Sequence, residues 1–321
     1  MSEHDHRHRR PRKGSAMGAG HGHGHGAMTA GAANSKRLAL ALGLMLTVAV
    51  VQVSGAVFSG SLALLADAGH TATDSFGVGL ALAAVWIATR PATSKRTFGF
   101  QRAEILAAAV NALALFGLCG FIVIEAVDRL RSPAEVSGPG VVLVAGIGLV
   151  ANVVALFVLR SGAEESLNVR GAYVEVLSDA LASVGVIVGG VVLWLTGWSR
   201  IDTLISLAIA AVIVPRAWAL LKEAVHILLE ATPRGMDLAE VRDHLLDHPA
   251  VVDVHDLHAW TITSGVPVMS AHVVVDEEHL RDSGRMLDEL HTCLTGHFDV
   301  EHSTLQLEPP GHAAHEGARH A

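Results

Sequence analysis

The chain has 321 residues, of which 51% are hydrophobic and only 17% charged, with a mean hydropathy of +0.43. An average soluble domain carries about 25% charge, so the deficit points to a membrane protein, and the formal net charge of −8 argues against a nucleic-acid partner. Twenty histidines against one tyrosine point to metal; two cysteines, Cys119 and Cys293, exclude a thiolate zinc cluster or a disulfide framework and leave imidazole and carboxylate as the expected ligands.

Residues 1–37 hold no apolar stretch of signal-peptide type and read as a disordered, His-rich cytosolic tail. Six apolar runs follow, each near the roughly 20 residues that cross a bilayer. They are about Leu38–Phe58, Leu62–Thr89, Ala103–Val127, Val141–Leu159, Gly171–Thr196 and Ile201–Leu221. Lipid offers no partner to backbone polar groups, so these runs are expected as helices of a membrane domain over 38–222. Basic residues gather in the linker after the second run (Arg90, Lys95, Arg96, Arg102), before the first (Lys36, Arg37) and at the close of the sixth (Arg216, Lys222). That bias puts both termini in the cytoplasm.

Beyond Lys222 the pattern changes. A helix is expected over Met236–His248, strands over Val251–Thr263 and Pro267–Val275, a helix over Asp276–His297 and a strand over Ser303–Leu307. The order αββαβ suits a small α+β domain over 223–309. It is short for an independent core, so pairing with a second copy is expected. Residues 310–321 form a second His-containing tail.

Two ionisable pairs interrupt the apolar runs. The second run holds His70-Thr71-Ala72-Thr73-Asp74, and the fifth holds Glu175-Val176-Leu177-Ser178-Asp179. Each pair is spaced i, i+4, so its side chains leave one helix face about one turn apart. The two spans run antiparallel, which lets the pairs meet near mid-membrane. An ionisable group at a helix centre costs about 2.5–3.5 kcal/mol on insertion, so four must face each other, water or an ion. A polar cluster that only fixes helix packing would account for a single such residue better than for two matched pairs. One imidazole and three carboxylates match the ligand number and type of a tetrahedral zinc-like site. Asp67, one turn before His70, is expected to line an outward vestibule. Asn111 and Asn152 are expected as interhelical hydrogen-bond partners, and Glu104 and Glu125 as groups reaching the interface from helix ends.

These residues sit in strings that resemble the cation diffusion facilitators, and specifically their zinc-efflux branch: SGSLALLADAGHTATDSFGVGLALAA, RPATSKRTFGFQRAEILAA, NVRGAYVEVLSDALASVGVIV, DLHAWTITSG and STLQLEP. The similarity runs from about Lys36 to Pro309. It implies six transmembrane helices, a cytosolic ferredoxin-like domain, a homodimer, and proton-coupled metal export by alternating access. By position it makes His70, Asp74 and Asp179 three of the transport-site ligands. The fourth departs, because the branch usually has histidine where this chain has Glu175. That change puts a harder, anionic ligand in the site and adds a negative charge that a dication no longer neutralises. Zinc stays first, with cobalt, iron(II), cadmium and manganese as alternatives.

In the loop after the second run, Thr93, Arg96 and Phe100 stand where some members carry acidic and histidine ligands, so no metal is expected there. In the C-terminal domain the resemblance makes His255 and His272 ligands of a regulatory site. His302 and Glu308, flanking the last strand, are candidates to complete it, since their even separation allows one strand face. The alternative is that these are ordinary exposed histidines. His226 in KEAVHILLE reads as a packing or hinge residue. The His-rich tails either capture cytosolic metal or are solvated and minor.

The ligand set itself suggests a cycle. A dry site of three carboxylates and one imidazole does not stay fully deprotonated when empty, because like charges repel in a low dielectric. A dication from the cytoplasm needs deprotonated ligands and expels the protons. A membrane metallohydrolase would need an activating glutamate in a motif such as His-Glu-x-x-His, which is nowhere in the sequence. A metal sensor using only the C-terminal histidines would leave the intramembrane quartet without purpose. The expectation is therefore a non-enzymatic exporter in the cell membrane. Its cargo and possible regulatory ion is Zn2+, and its partners are protons, the lipid bilayer and a second copy.

Overall fold

A computed structural model describes residues 25–163, 167–300 and 302–312. Six long helices come first: α1 (His25–Ser59), α2 (Leu62–Ala88), α3 (Ala103–Arg131), α4 (Gly138–Ala163), α5 (Leu167–Thr196) and α6 (Arg200–Leu228). Each is long and apolar enough to cross a membrane, and large apolar side chains such as Phe121, Phe157 and Trp194 point outward. Several helices outrun their apolar cores. The segment ahead of Leu38 is helical from His25, in an alanine-rich stretch of good helix formers; residues 1–24 lie outside the described residues. α3 carries on to Arg131 and α6 to Leu228. Hydropathy marks only the part of a helix that lies in lipid, while the hydrogen-bond ladder continues into the polar turns beyond.

α4 packs along α5, α3 along α6, and α2 against α1 and α3. One buried cluster joins α2, α3 and α6 through Ala66, Leu115, Ile122, Ala210 and Ile213. Another joins α1, α2, α4 and α5 through Ala56, Ala63, Leu64, Val141 and Val186. Alanine at these contacts lets helices approach closely where lipid gives no hydrophobic drive to associate.

The start of α2 is pinned from two sides. Asp202, in the first turn of α6, accepts from the Ser61 hydroxyl and from the backbone amides of Leu62 (2.7 Å) and Ala63 (3.4 Å). Ser61 Oγ in turn accepts from the Leu64 amide at 3.0 Å, so the free amides at this helix end are met. Arg129 donates to the Gly60 carbonyl at 2.6 Å. Gly60 has φ of +69°, and a Cβ there would come within 2.8 Å of the Glu135 carbonyl oxygen, so this tight corner requires glycine.

The C-terminal domain comprises α7 (Leu238–Leu246), β1 (Val251–Thr261), β2 (Pro267–Val275), a 3-10 turn (His279–Asp282), α8 (Ser283–Phe298) and β3 (His302–Glu308). The sheet order is β1-β2-β3, with β1 antiparallel to β2 and β2 parallel to β3. The αββαβ order agrees with the sequence reading. Its core gathers Val241, Leu245, Val254, Met269, Leu290 and Leu294 from both helices and the sheet. The domain hangs from α6 and touches the membrane helices at the base of α3. Glu104 accepts from the hydroxyls of Thr263 (2.5 Å) and Ser264 (3.1 Å) in the β1–β2 turn, and Arg102 pairs with Glu230 at 2.7 Å. His226 Nε2 donates to the Thr232 carbonyl at 2.9 Å, consistent with the expected packing or hinge role.

Candidate metal centres

The i, i+4 spacing on α2 brings His70 Nδ1 to 3.2 Å from Asp74 Oδ2, and the α2–α5 contact brings His70 Nε2 to 3.9 Å from Asp179 Oδ1. The imidazole thus stands between two carboxylates from two helices. Asp179 is 2% exposed, and its Oδ2 is buried with no hydrogen-bond partner among the described residues. A buried, unpartnered carboxylate oxygen calls for a cation or a proton. Glu175 lies one turn from Asp179 and lines the same cavity as Asp74. The four do not converge on one point: among the described residues, the clusters whose donor atoms all lie within 4.8 Å of one another do not include this quartet. A coordinated ion therefore requires the side chains to close in.

Asp74 and Glu175 line a cavity of about 720 Å³ together with Gly77, Asn111 and Glu104. Since Glu104 also holds the β1–β2 turn, the cavity runs from the quartet towards the end of the helices that meets the C-terminal domain. Asn111, expected to bond across helices, borders this space, and its Oδ1 has no hydrogen-bond partner among the described residues. Asp67 is 2% exposed and accepts from Gln52 Nε2 (2.8 Å) and Ser183 Oγ (3.3 Å). One turn towards the start of α2 from His70, its side chain meets α1 and α5, which close around it.

Arg216 is the residue that sequence reading misplaced. It was expected at the close of helix six, but α6 continues to Leu228, and the guanidinium donates to Ser178 Oγ at 3.2 Å, next to Asp179. Arg216 thus brings a positive charge to the edge of a cluster that holds three carboxylates. The signal was an arginine inside an apolar run, where the cost of insertion demands a partner.

In the C-terminal domain, β1–β2 pairing sets His255 opposite His272, with ring centroids 5.2 Å apart. Glu308, at the end of β3 and 1% exposed, brings its Oε1 to 2.7 Å from His272 Nδ1 and its Oε2 to 3.6 Å from His255 Nε2. The donor atoms of these three residues all lie within 4.8 Å of one another. Two imidazoles and a carboxylate are a ligand set for zinc with a position left open. Gln306 donates to Glu308 Oε1 at 2.8 Å and orients it.

His302 does not join them. β3 lies parallel to β2 with His302 opposite Val268 and Glu308 opposite Val274, at the two ends of the strand. Even spacing satisfied the face but not the distance, which is roughly 20 Å at a rise of about 3.3 Å per residue. His302 is exposed, and its ring meets the edge of Phe98 at 5.8 Å.

Residues 38–229 match the family model of the cation efflux transmembrane domain, and residues 233–310 match that of the cation efflux protein cytoplasmic domain. The chain is 46% identical over 262 residues to the metal cation efflux system protein CzcD of Cupriavidus metallidurans, covering 82% of this chain and 83% of that protein. It is 41% identical over 261 residues to the zinc transporter ZitB of Escherichia coli, covering 81% and 82%. Against a cadmium, cobalt and zinc/H(+)-K(+) antiporter of Bacillus subtilis the identity is 35% over 266 residues, covering 82% and 85%.

Proposed function

The chain belongs to the cation efflux family, and we propose that it exports a divalent transition-metal cation, zinc first, from the cytoplasm in exchange for protons. The observation that carries this reading is His70 held between Asp74 and Asp179, at the head of a cavity reaching towards the C-terminal domain. With the basic linkers on the cytoplasmic side, that cavity is the cytoplasmic entrance and the conformation is inward-facing.

In this cycle the cargo enters past Glu104 and meets Asp74 and Glu175 first. His70 and Asp179 close around it from the buried side, and Arg216 balances the third carboxylate. Ligation requires deprotonated carboxylates and a neutral imidazole, so protons leave as the cation binds. Once α2 and α5 rock to open the outer side, protons from outside replace the cation, and the inward proton gradient drives the next turn. An imidazole among oxygen ligands suits zinc and also admits cobalt, iron(II), cadmium and manganese. Zinc is named for the ZitB relative, and cadmium, cobalt and zinc for the Bacillus one.

His255, His272 and Glu308 form the regulatory site in this reading, with Zn2+ as its ion, and the working unit is a homodimer in the cell membrane. A sensor that binds without transport is the rival. Purified protein in liposomes loaded with a zinc-sensitive dye separates the two: transport gives a dye signal driven by a pH gradient. Zinc binding to the protein without any dye signal would favour the sensor.

A further inference from the structure

We infer that the C-terminal domain carries a third metal site, built from His244 on α7 and Cys293 and His297 on α8. The donor atoms of these three side chains all lie within 4.8 Å of one another. Cys293 and His297 are spaced i, i+4, so α8 presents thiol and imidazole on one face. α7 supplies the third ligand from across the helix pair, with the His244 and His297 ring centroids 4.4 Å apart.

The His297 ring is already oriented by its own helix. His297 Nδ1 contacts the Cys293 carbonyl oxygen at 3.0 Å. A carbonyl only accepts, so Nδ1 carries the proton and Nε2 presents a lone pair. A backbone carbonyl fixing the tautomer of a ligating histidine is the usual outer-shell arrangement at zinc. Phe298 meets the His244 ring edge-on at 5.5 Å and limits how it turns. His297 is exposed and lines the cleft of about 1030 Å³ between the end of α6 and the C-terminal domain, together with Glu223, Arg234 and His302. A cation therefore has an entry path.

One thiolate and two imidazoles select a borderline, zinc-like cation such as Zn2+, Co2+ or Cd2+ and disfavour hard ions such as Mg2+ or Mn2+. The fourth tetrahedral position is left to water. When the S–metal bond forms, the Cys293 thiol gives its proton to solvent. The bound ion ties α7 to α8 at the wall of the interdomain cleft.

Sulfur makes the site separable from the other two centres, whose ligands are only nitrogen and oxygen. Co2+ added to the full-length protein in detergent is expected to give a near-ultraviolet thiolate-to-cobalt charge-transfer band that zinc removes. The band is lost in Cys293→Ser, survives in Cys119→Ser and in His255→Ala, and in His244→Ala needs about 100-fold more cobalt, at least the cost of losing an outer-shell partner. A second measurement needs no variant: alkylation of Cys293 followed by peptide mass spectrometry. With zinc at about 100 times Kd the thiol is free about 1% of the time, so alkylation slows about 100-fold. Absence of the band in the wild type, its survival in Cys293→Ser, or zinc-insensitive alkylation of Cys293 each overturns the assignment.

Discussion

His70 on α2 reaches across to Asp179 on α5, with Nε2 3.9 Å from Oδ1 and both side chains nearly closed to solvent. This contact joins the two helices that carry the quartet. Removing Asp179 leaves His70 with Asp74 alone and, in the proposed transport site, takes one anionic ligand from the cargo. Asp179→Ala and Asp74→Ala should each lower metal uptake into inverted vesicles by about 100-fold or more, taking the upper end of outer-ligand losses as a floor, with membrane insertion unchanged. Vesicle flux at the wild-type rate in either variant would remove that residue from the transport site.

Glu175→His tests the departure from the zinc-type ligand set. Replacing a hard carboxylate by imidazole should sharpen preference for zinc over manganese. The introduced imidazole must be neutral to bind metal and titrates at a higher pH than an ordinary carboxyl, so the pH at which uptake falls should shift. Transport rates of both metals at several pH values check this. An unchanged metal ratio together with an unchanged pH profile would mean that Glu175 is not a ligand.

Arg216 and Glu175 should be coupled. Arg216→Ala leaves a loaded site with one uncompensated negative charge, and uptake should fall about 10-fold, the equivalent of about 1.4 kcal/mol within the range seen for interacting neighbours. Glu175→His removes the charge that Arg216 balances, so the double variant should transport better than Arg216→Ala alone. Independent, additive effects in the double-mutant cycle would show that the guanidinium does not serve this balance.

The two arms of the C-terminal site make opposite demands. In full-length protein, His255→Ala and His272→Ala should each remove one class of zinc sites from a calorimetric titration, and His302→Ala should leave it intact. Loss of the same class in His302→Ala would contradict the strand register that sets His302 far from Glu308.

Much of this was legible in the sequence because the signals were local. Charged residues in apolar runs, spaced i, i+4, located both halves of the quartet without any knowledge of packing, and the switch from long apolar runs to alternation located the αββαβ domain. Misreadings came where position depended on a partner element. Arg216 looked terminal because hydropathy ends before α6 does. His302 and Glu308 share a strand face, yet only the parallel register with β2 reveals their separation. Cys293 and His297 had helical spacing in plain view, but the contact with His244 belongs to the packing of α7 on α8.

Asp202 should matter through structure rather than chemistry. It satisfies the hydroxyl of Ser61 and two amides at the start of α2, so Asp202→Ala strands buried donors. The cost is expected at about 1–3 kcal/mol, seen as a lower midpoint of thermal unfolding in detergent. Flux should fall with it and recover on cooling. A full loss of flux in protein of unchanged stability would instead make Asp202 part of the transport path.

Exchange of metal for protons at the proposed His70–Asp74–Glu175–Asp179 site is tested most directly by recording both ions simultaneously. Proteoliposomes carrying a zinc-sensitive and a pH-sensitive dye are given zinc outside and an acidic lumen. Zinc entry should be accompanied by lumenal alkalinisation in fixed proportion, and Asp179→Ala should abolish both signals together. Zinc entry with no proton movement, or coupled flux that persists in Asp179→Ala, would contradict it.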